Sequence, residues 1–409
     1  MRSTLQLVVI SAAALLCACV GNKNSTPANA TPPPPTLNTM AVTVDSGPTA
    51  ATGQVNQAYV TVKVCASGST TQCANIDHVR LDTGSWGLRL VRSVLTAASV
   101  TLTAETDAQG QTIEECVHFG GGQTWGPVAL ADVTLAGEVA AKVPVQVLDD
   151  TGAGPAAPAA CRATALINDV ASLGANGLLG VGVFAQDCGT ACTNASTPQP
   201  TYFGCTAAGL CTAENVALTA QVTNPVAMFA ADNNGIIVNM PNLINANGDG
   251  SVQGELIFGI ATQTDNALPT GLTLLATDAA GDFRATYNGA TTLLPALIDS
   301  GTGAYAFNST IAPCATGRFI GYYCPAPAPL DVYAVNTPPP GVSGPSNTVH
   351  FAIADPNTFV ANASAFIDLA GGGGSTTFTW GMPFFYGRKI YIGINQKVAG
   401  TQTGPFYAY

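Results

Sequence analysis

One four-residue pattern occurs twice in the 409-residue chain, and each time an apolar segment ending in glycine follows it. Asp82-Thr83-Gly84-Ser85 comes after His78-Val79-Arg80-Leu81, and Asp299-Ser300-Gly301-Thr302 comes after Pro295-Ala296-Leu297-Ile298. Gly177-Leu178-Leu179-Gly180 lies about a hundred residues beyond the first Asp, and Thr379-Trp380-Gly381 ends 82 residues beyond the second. Such a repeat constrains the chain to two similar halves, each presenting one carboxylate on a tight turn. Leu81, Leu297 and Ile298 suit buried strands that carry their Asp into a water-poor place. The three-residue core alone says little, because Asp45-Ser46-Gly47 and Asp150-Thr151-Gly152 also match it. Those two lack the downstream element and read as strand ends and turns.

The rest of the chain reads as short strands between Gly, Asn and Asp turns. Examples are 59–64, 128–135, 143–148, 235–240, 255–259 and 390–394. Helical periodicity is weak and short, so the fold class is all-β. Charged residues make up 9% of the chain and hydrophobic ones 47%, which gives ample core and excludes bulk disorder. The net charge of −11 excludes a basic nucleic-acid binder. Beyond the first 20 residues no apolar run is long enough for a membrane helix. The segment Asn245 to Gly250 imitates the start of a calcium loop, but Leu256 stands where a bidentate Glu is needed, so it reads as a hairpin turn. The Pro-rich stretch 325–345 reads as a surface loop.

The paired motifs resemble those of the pepsin-like aspartic peptidases, and the resemblance runs from about Tyr59 to Tyr409. It implies a bilobal fold of two β-barrel-like lobes around a central cleft, with lobes at 46–234 and 235–409. Asp82 and Asp299 would be the catalytic carboxylates, supported by Thr83, Gly84, Ser85, Ser300, Gly301 and Thr302. His118 to Gly126 sits where the family has its flap hairpin, with Phe119, Gly120, Gly121 and Trp125 as flap residues. Two departures stand out: Phe119 matches a flap Tyr whose hydroxyl helps position water, and Arg89 matches an aromatic that packs against the flap. Lys23 is the only cation between Cys19 and Lys63, so latency by a basic propeptide is not expected.

The chemistry explains the residue types. Two carboxylates held about 3 Å apart cannot both ionise easily and so share one proton. The ionised member takes a proton from water while the protonated member polarises the scissile carbonyl. Thr83 and Ser300 suit bonds across the lobe interface; Ser85 and Thr302 suit the outer carboxylate oxygens. Neither a metal nor a cofactor is required. The three histidines (78, 118 and 350) accompany no Gly-x-Ser-x-Gly elbow, and no phosphate-binding Walker loop is present. The expected partner is a peptide or protein substrate in the inter-lobe cleft, bound by a monomer that takes no nucleic acid. Two other readings compete with the peptidase: a pepsin-fold module that binds peptides without cutting, and a β-rich surface scaffold.

The first residues read as an address. Arg2 and the apolar run 5–16 form a signal peptide over 1–18, and Leu16-Cys17-Ala18-Cys19 resembles a bacterial lipobox. Cys19 is then the lipidated residue, and an ordinary secretory peptide is the alternative. Val20 rather than Asp after it favours the outer membrane, by resemblance to Gram-negative lipoproteins. Residues 19–45 read as a Pro-rich tether, solvated over 20–38. Ten cysteines follow Cys19, which permits up to five disulfides in an exported chain. Cys65 with Cys73 and Cys314 with Cys324 are reasonable local pairs. The 188, 192, 205 and 211 cluster reads as two disulfides rather than a zinc site, with connectivity open.

Overall fold

The computed structural model describes residues 38–245, 247–373 and 376–409. Strands dominate throughout, and the α-helices among the described residues, Arg92–Ala97 and Val170–Leu173, are short. None of them is long and apolar enough to cross a membrane. The expected signal peptide, the expected lipidation at Cys19 and most of the expected tether fall outside the described residues.

The repeat in the sequence is a repeat in the sheets. In the first half, Cys73–Asp82 runs parallel to Gly177–Val181, and Trp86–Val91 lies antiparallel on the far side of Gly177–Val181. In the second half, Leu294–Ile298 runs parallel to Phe378–Trp380, with Tyr305–Phe307 antiparallel beside the latter. Each outer strand then meets another in parallel: Arg89 pairs with Gln146, and Tyr305 with Ala370. Parallel neighbours cannot be joined by a tight hairpin and require long crossovers. This explains why each motif Asp and its glycine partner are separated by about a hundred residues in one half and 82 in the other.

A sixteen-stranded sheet carries most of the first half and continues through Gly235–Asn239, Val252–Phe258, Lys389–Gly393 and Phe406–Ala408. A seven-stranded sheet belongs to the second half alone. The cores differ in kind. The first half fills with aliphatic residues such as Val62, Val64, Leu88, Leu90 and Val145, all fully buried. The second packs aromatic rings, with Phe307 stacked on Phe378 at 5.1 Å and Trp380 edge-on to Tyr305 at 5.8 Å. All ten downstream cysteines are paired: 65–73, 116–161, 188–192, 205–211 and 314–324.

Two expectations need correction. The tether does not reach residue 45, because Thr39–Val44 is a strand, with Thr39 opposite Ile257 and Val44 opposite both Val252 and Ala58. Its Val42 and Val44 are fully buried, so the apolar alternation outweighs the neighbouring prolines. The stretch 325–345 is not all loop either, since it contains the strand Leu330–Thr337, paired with Asn347–Ile353. Its prolines flank this strand without entering it, and Val332, Ala334 and Asn336 alternate inward.

Candidate active site

Asp82 ends its strand, Asp299 directly follows Leu294–Ile298, and each is held by its own turn. The Gly84 N–H donates to Asp82 Oδ1 at 2.8 Å and the Ser85 hydroxyl to Asp82 Oδ2 at 2.6 Å. In the second half the Gly301 N–H donates to Asp299 Oδ1 at 2.7 Å and the Thr302 hydroxyl to Asp299 Oδ2 at 2.6 Å. One amide and one hydroxyl donor per carboxylate thus hold the two in matching fashion.

The two turns interlock. The Thr83 hydroxyl donates to the Ile298 carbonyl at 2.8 Å, and the Ser300 hydroxyl donates to the Leu81 carbonyl at 2.7 Å. Each hydroxyl also accepts from the opposite backbone: the Ser300 N–H reaches Thr83 Oγ1 at 2.9 Å, and the Thr83 N–H reaches Ser300 Oγ at 3.2 Å. Both residues are buried, so these bonds are shielded from competing water. Glycine is required beside each Asp by close approach: a Cβ at Gly84 would stand 2.6 Å from Asp299 Cγ, and one at Gly301 would stand 2.8 Å from Asp82 Cγ. The carboxylates therefore face one another at the junction of the halves. Burial, reinforced by the Asp82 carboxylate, pushes Asp299 up to about 8. The pair can hold a single proton from acid to near-neutral pH.

A cavity of about 320 Å³ opens over this pair, lined by Asp82, Asp299, Phe119, Gly120, Gly121 and Arg80, among others. The first three flap residues named from the sequence are therefore at its edge, on the tip of the hairpin formed by Thr112–Phe119 and Gly122–Leu135. Trp125 is not. It is 3% exposed, its indole N–H donates to the Pro155 carbonyl at 2.8 Å, and its ring packs on Phe203, so it anchors the hairpin and does not line this cavity. The two decoy motifs are turns: the Gly47 N–H donates to Asp45, and Asp150 accepts from the Ser93 N–H.

Arg89 is buried beneath the hairpin, with its guanidinium 5.5 Å from the Phe119 ring centroid. It pairs with Glu115 at 2.9 Å and Asp187 at 3.0 Å, and Asp187 accepts from the Tyr202 hydroxyl at 2.6 Å. Burial and the neighbouring Asp187 raise Glu115 well above the carboxylate range against the opposing pull of Arg89. A cation thus lies against the phenyl ring at the hairpin tip. Sequence reasoning missed this cluster and the presence of Arg80 in the cavity. Adjacent glutamates at 114 and 115 in a strand were the available signal for the first, since neighbouring residues face opposite ways and one must turn inward. Among the described residues, one group of three metal-type donors occurs, Cys314, Cys324 and Asp355, and its sulfurs are joined as a disulfide.

A protein family described as "Protein of unknown function (DUF3443)" matches residues 34–409. No curated protein matches the chain. Among solved structures, an aspartic proteinase from Irpex lacteus is similar at 14% identity and a TM-score of 0.48, covering 90% of this chain and 96% of its own.

Proposed function

This chain belongs to the family described as "Protein of unknown function (DUF3443)", a membership that carries no activity with it, and we propose that it is an aspartic endopeptidase. The observation that supports this reading is the matched pair Asp82 and Asp299, each held by a glycine N–H and a hydroxyl and packed against the opposite glycine. In the proposed reaction the dyad carries one proton. The ionised carboxylate accepts a proton from the attacking water as its oxygen bonds to the scissile carbonyl carbon. The protonated one donates to the carbonyl oxygen, and the tetrahedral species collapses as the amine leaves with a proton. The extended substrate lies under the hairpin tip, bound as an added strand.

A second reading, a cleft that binds peptides without turnover, draws on Phe119, which has no hydroxyl to hold a water. Retention of both carboxylates with all four of their donors favours hydrolysis. We also propose that the protein works as a monomer at the bacterial cell envelope, anchored through a lipid on Cys19 to the outer membrane.

The test is cleavage of a peptide library by the purified full chain in detergent from pH 3 to 8. Cleavage that is lost in Asp82→Asn and blocked by a statine-type transition-state peptide is the expected result. Intact peptides together with tight statine-peptide binding would move the assignment to the binding module. Labelling by a radioactive fatty acid, abolished by Cys19→Ser, checks the anchor.

A further inference from the structure

Arg80 stands two residues before Asp82 on the same strand, so the two side chains leave the same face about 6.6 Å apart along the chain. It lines the cavity over the dyad together with Gln54, Phe119 and the loop of Leu173. Its guanidinium is anchored by one Nη2 bond to the Leu173 carbonyl, while its Nε is buried without a hydrogen-bond partner. Among the described residues no carboxylate lies within 4 Å of its guanidinium, although Asp82 and Asp299 act on its charge from farther off. A desolvated cation ordinarily acquires an anionic partner, because removing its water is costly unless a counter-charge replaces it. The corresponding position of the second half, two residues before Asp299, is Leu297. At this position the two halves differ by a charge, and that charge is in the cavity.

We infer that Arg80 is a specificity-determining residue, and that the cavity beside the dyad takes an acidic side chain, Glu or Asp, from the substrate residue next to the cleaved bond. The inference rests on the peptidase reading of the site. A guanidinium presents parallel N–H donors that match a carboxylate, which a Lys ammonium does not do equally well. The proton shared by the dyad is consistent with this choice. A pair that keeps its proton to near-neutral pH works where substrate carboxylates are ionised. The dyad then bears one negative charge, and Arg80 offsets it for an incoming anion.

The experiment compares paired peptides that differ only by Glu against Gln, or Asp against Asn, at each position flanking the cut, with the full chain in detergent at pH 5–7. At one of the two positions adjoining the bond, the acidic member is expected to be cleaved roughly tenfold better or more in kcat/KM. Arg80→Leu is expected to abolish that ratio, mainly through KM, and Arg80→Lys to keep part of it. Equal cleavage of Glu and Gln peptides, or a ratio that survives in Arg80→Leu, would overturn the inference and leave the peptidase reading standing. The wild-type comparison decides the matter even if Arg80→Leu does not fold. If no peptide is cut, the peptidase reading fails separately. Calorimetry with statine-containing Glu and Gln peptides then tests the pocket: roughly tenfold tighter Glu binding supports it, and equal or absent binding overturns it.

Discussion

The Ser300 N–H and the Thr83 hydroxyl oxygen are joined at 2.9 Å across 217 residues of chain, and the same hydroxyl donates onward to the Ile298 carbonyl. One oxygen thus serves a donor and an acceptor of the opposite half, and both residues are buried. Thr83→Val keeps the volume and leaves both groups unpaired. It is expected to cost about 1–3 kcal/mol, seen as a lower urea midpoint with an unchanged slope. Thr83→Ser should recover most of the loss.

The raised pKa of Asp299 fixes the sign of a pH effect. The folded chain holds a proton that the unfolded chain releases near pH 4, so this stabilisation is complete below about 4 and is lost as pH rises through about 8. Burial also pushes Glu114 up to about 8, adding the same slope. Urea midpoints should therefore fall from pH 4 to 9, and less steeply in Asp299→Asn. Peptide cleavage should be lost over the same alkaline limb.

Arg89→Met removes the cation shared by Glu115 and Asp187 and leaves two buried carboxylates facing each other. The expected destabilisation at pH 7 is about 3–5 kcal/mol, read as a lower urea midpoint. Because Phe119 loses its cation as well, amides of the hairpin tip should exchange hydrogen faster in this variant.

Gly180 and Gly381 occupy corresponding places in the two halves, and both are dictated by packing. An added Cβ would stand 2.6 Å from the Trp86 nitrogen at Gly180 and 2.0 Å from the Ala304 oxygen at Gly381. Alanine at either position is expected to cost about 3 kcal/mol or more, since backbone cannot move aside cheaply. Gly121→Ala at the hairpin tip, with nothing within 4 Å, should change stability by less than about 0.5 kcal/mol. Thermal melts of the three variants make the comparison.

The disulfides should differ by the loops they close. Cys116–Cys161 closes 45 residues and ties the hairpin to the segment near Pro155, whereas Cys188–Cys192 closes four. Paired Ser substitutions are expected to cost about 4 kcal/mol for the former and about 2 for the latter.

Much of this was legible because it depends on local chemistry. The alternation of Val60, Val62 and Val64 marked a strand, and the Asp-hydroxyl-Gly turns carry their own hydrogen-bond partners within three residues. Trp125 was misplaced because a sequence shows which residues lie near a hairpin, not which way a large ring turns once Phe203 offers it a surface. The pairing of Arg89 with Asp187 spans 98 residues and leaves no periodic trace. Arg80 was legible in principle, since two residues along a strand means the same face, but its lack of a carboxylate within ion-pair distance depends on every neighbour at once.

The strand Thr39–Val44, laid between Ala58–Ala66 and Val252–Phe258, has a consequence for the order of assembly. It is the first described strand to be synthesised, yet its principal partner follows more than two hundred residues later. Until Val252–Phe258 has emerged, one edge of Thr39–Val44 has no mate and remains open to pairing with other chains. The first half therefore cannot close its sheet alone, and maturation waits on the second half whatever the speed of local folding.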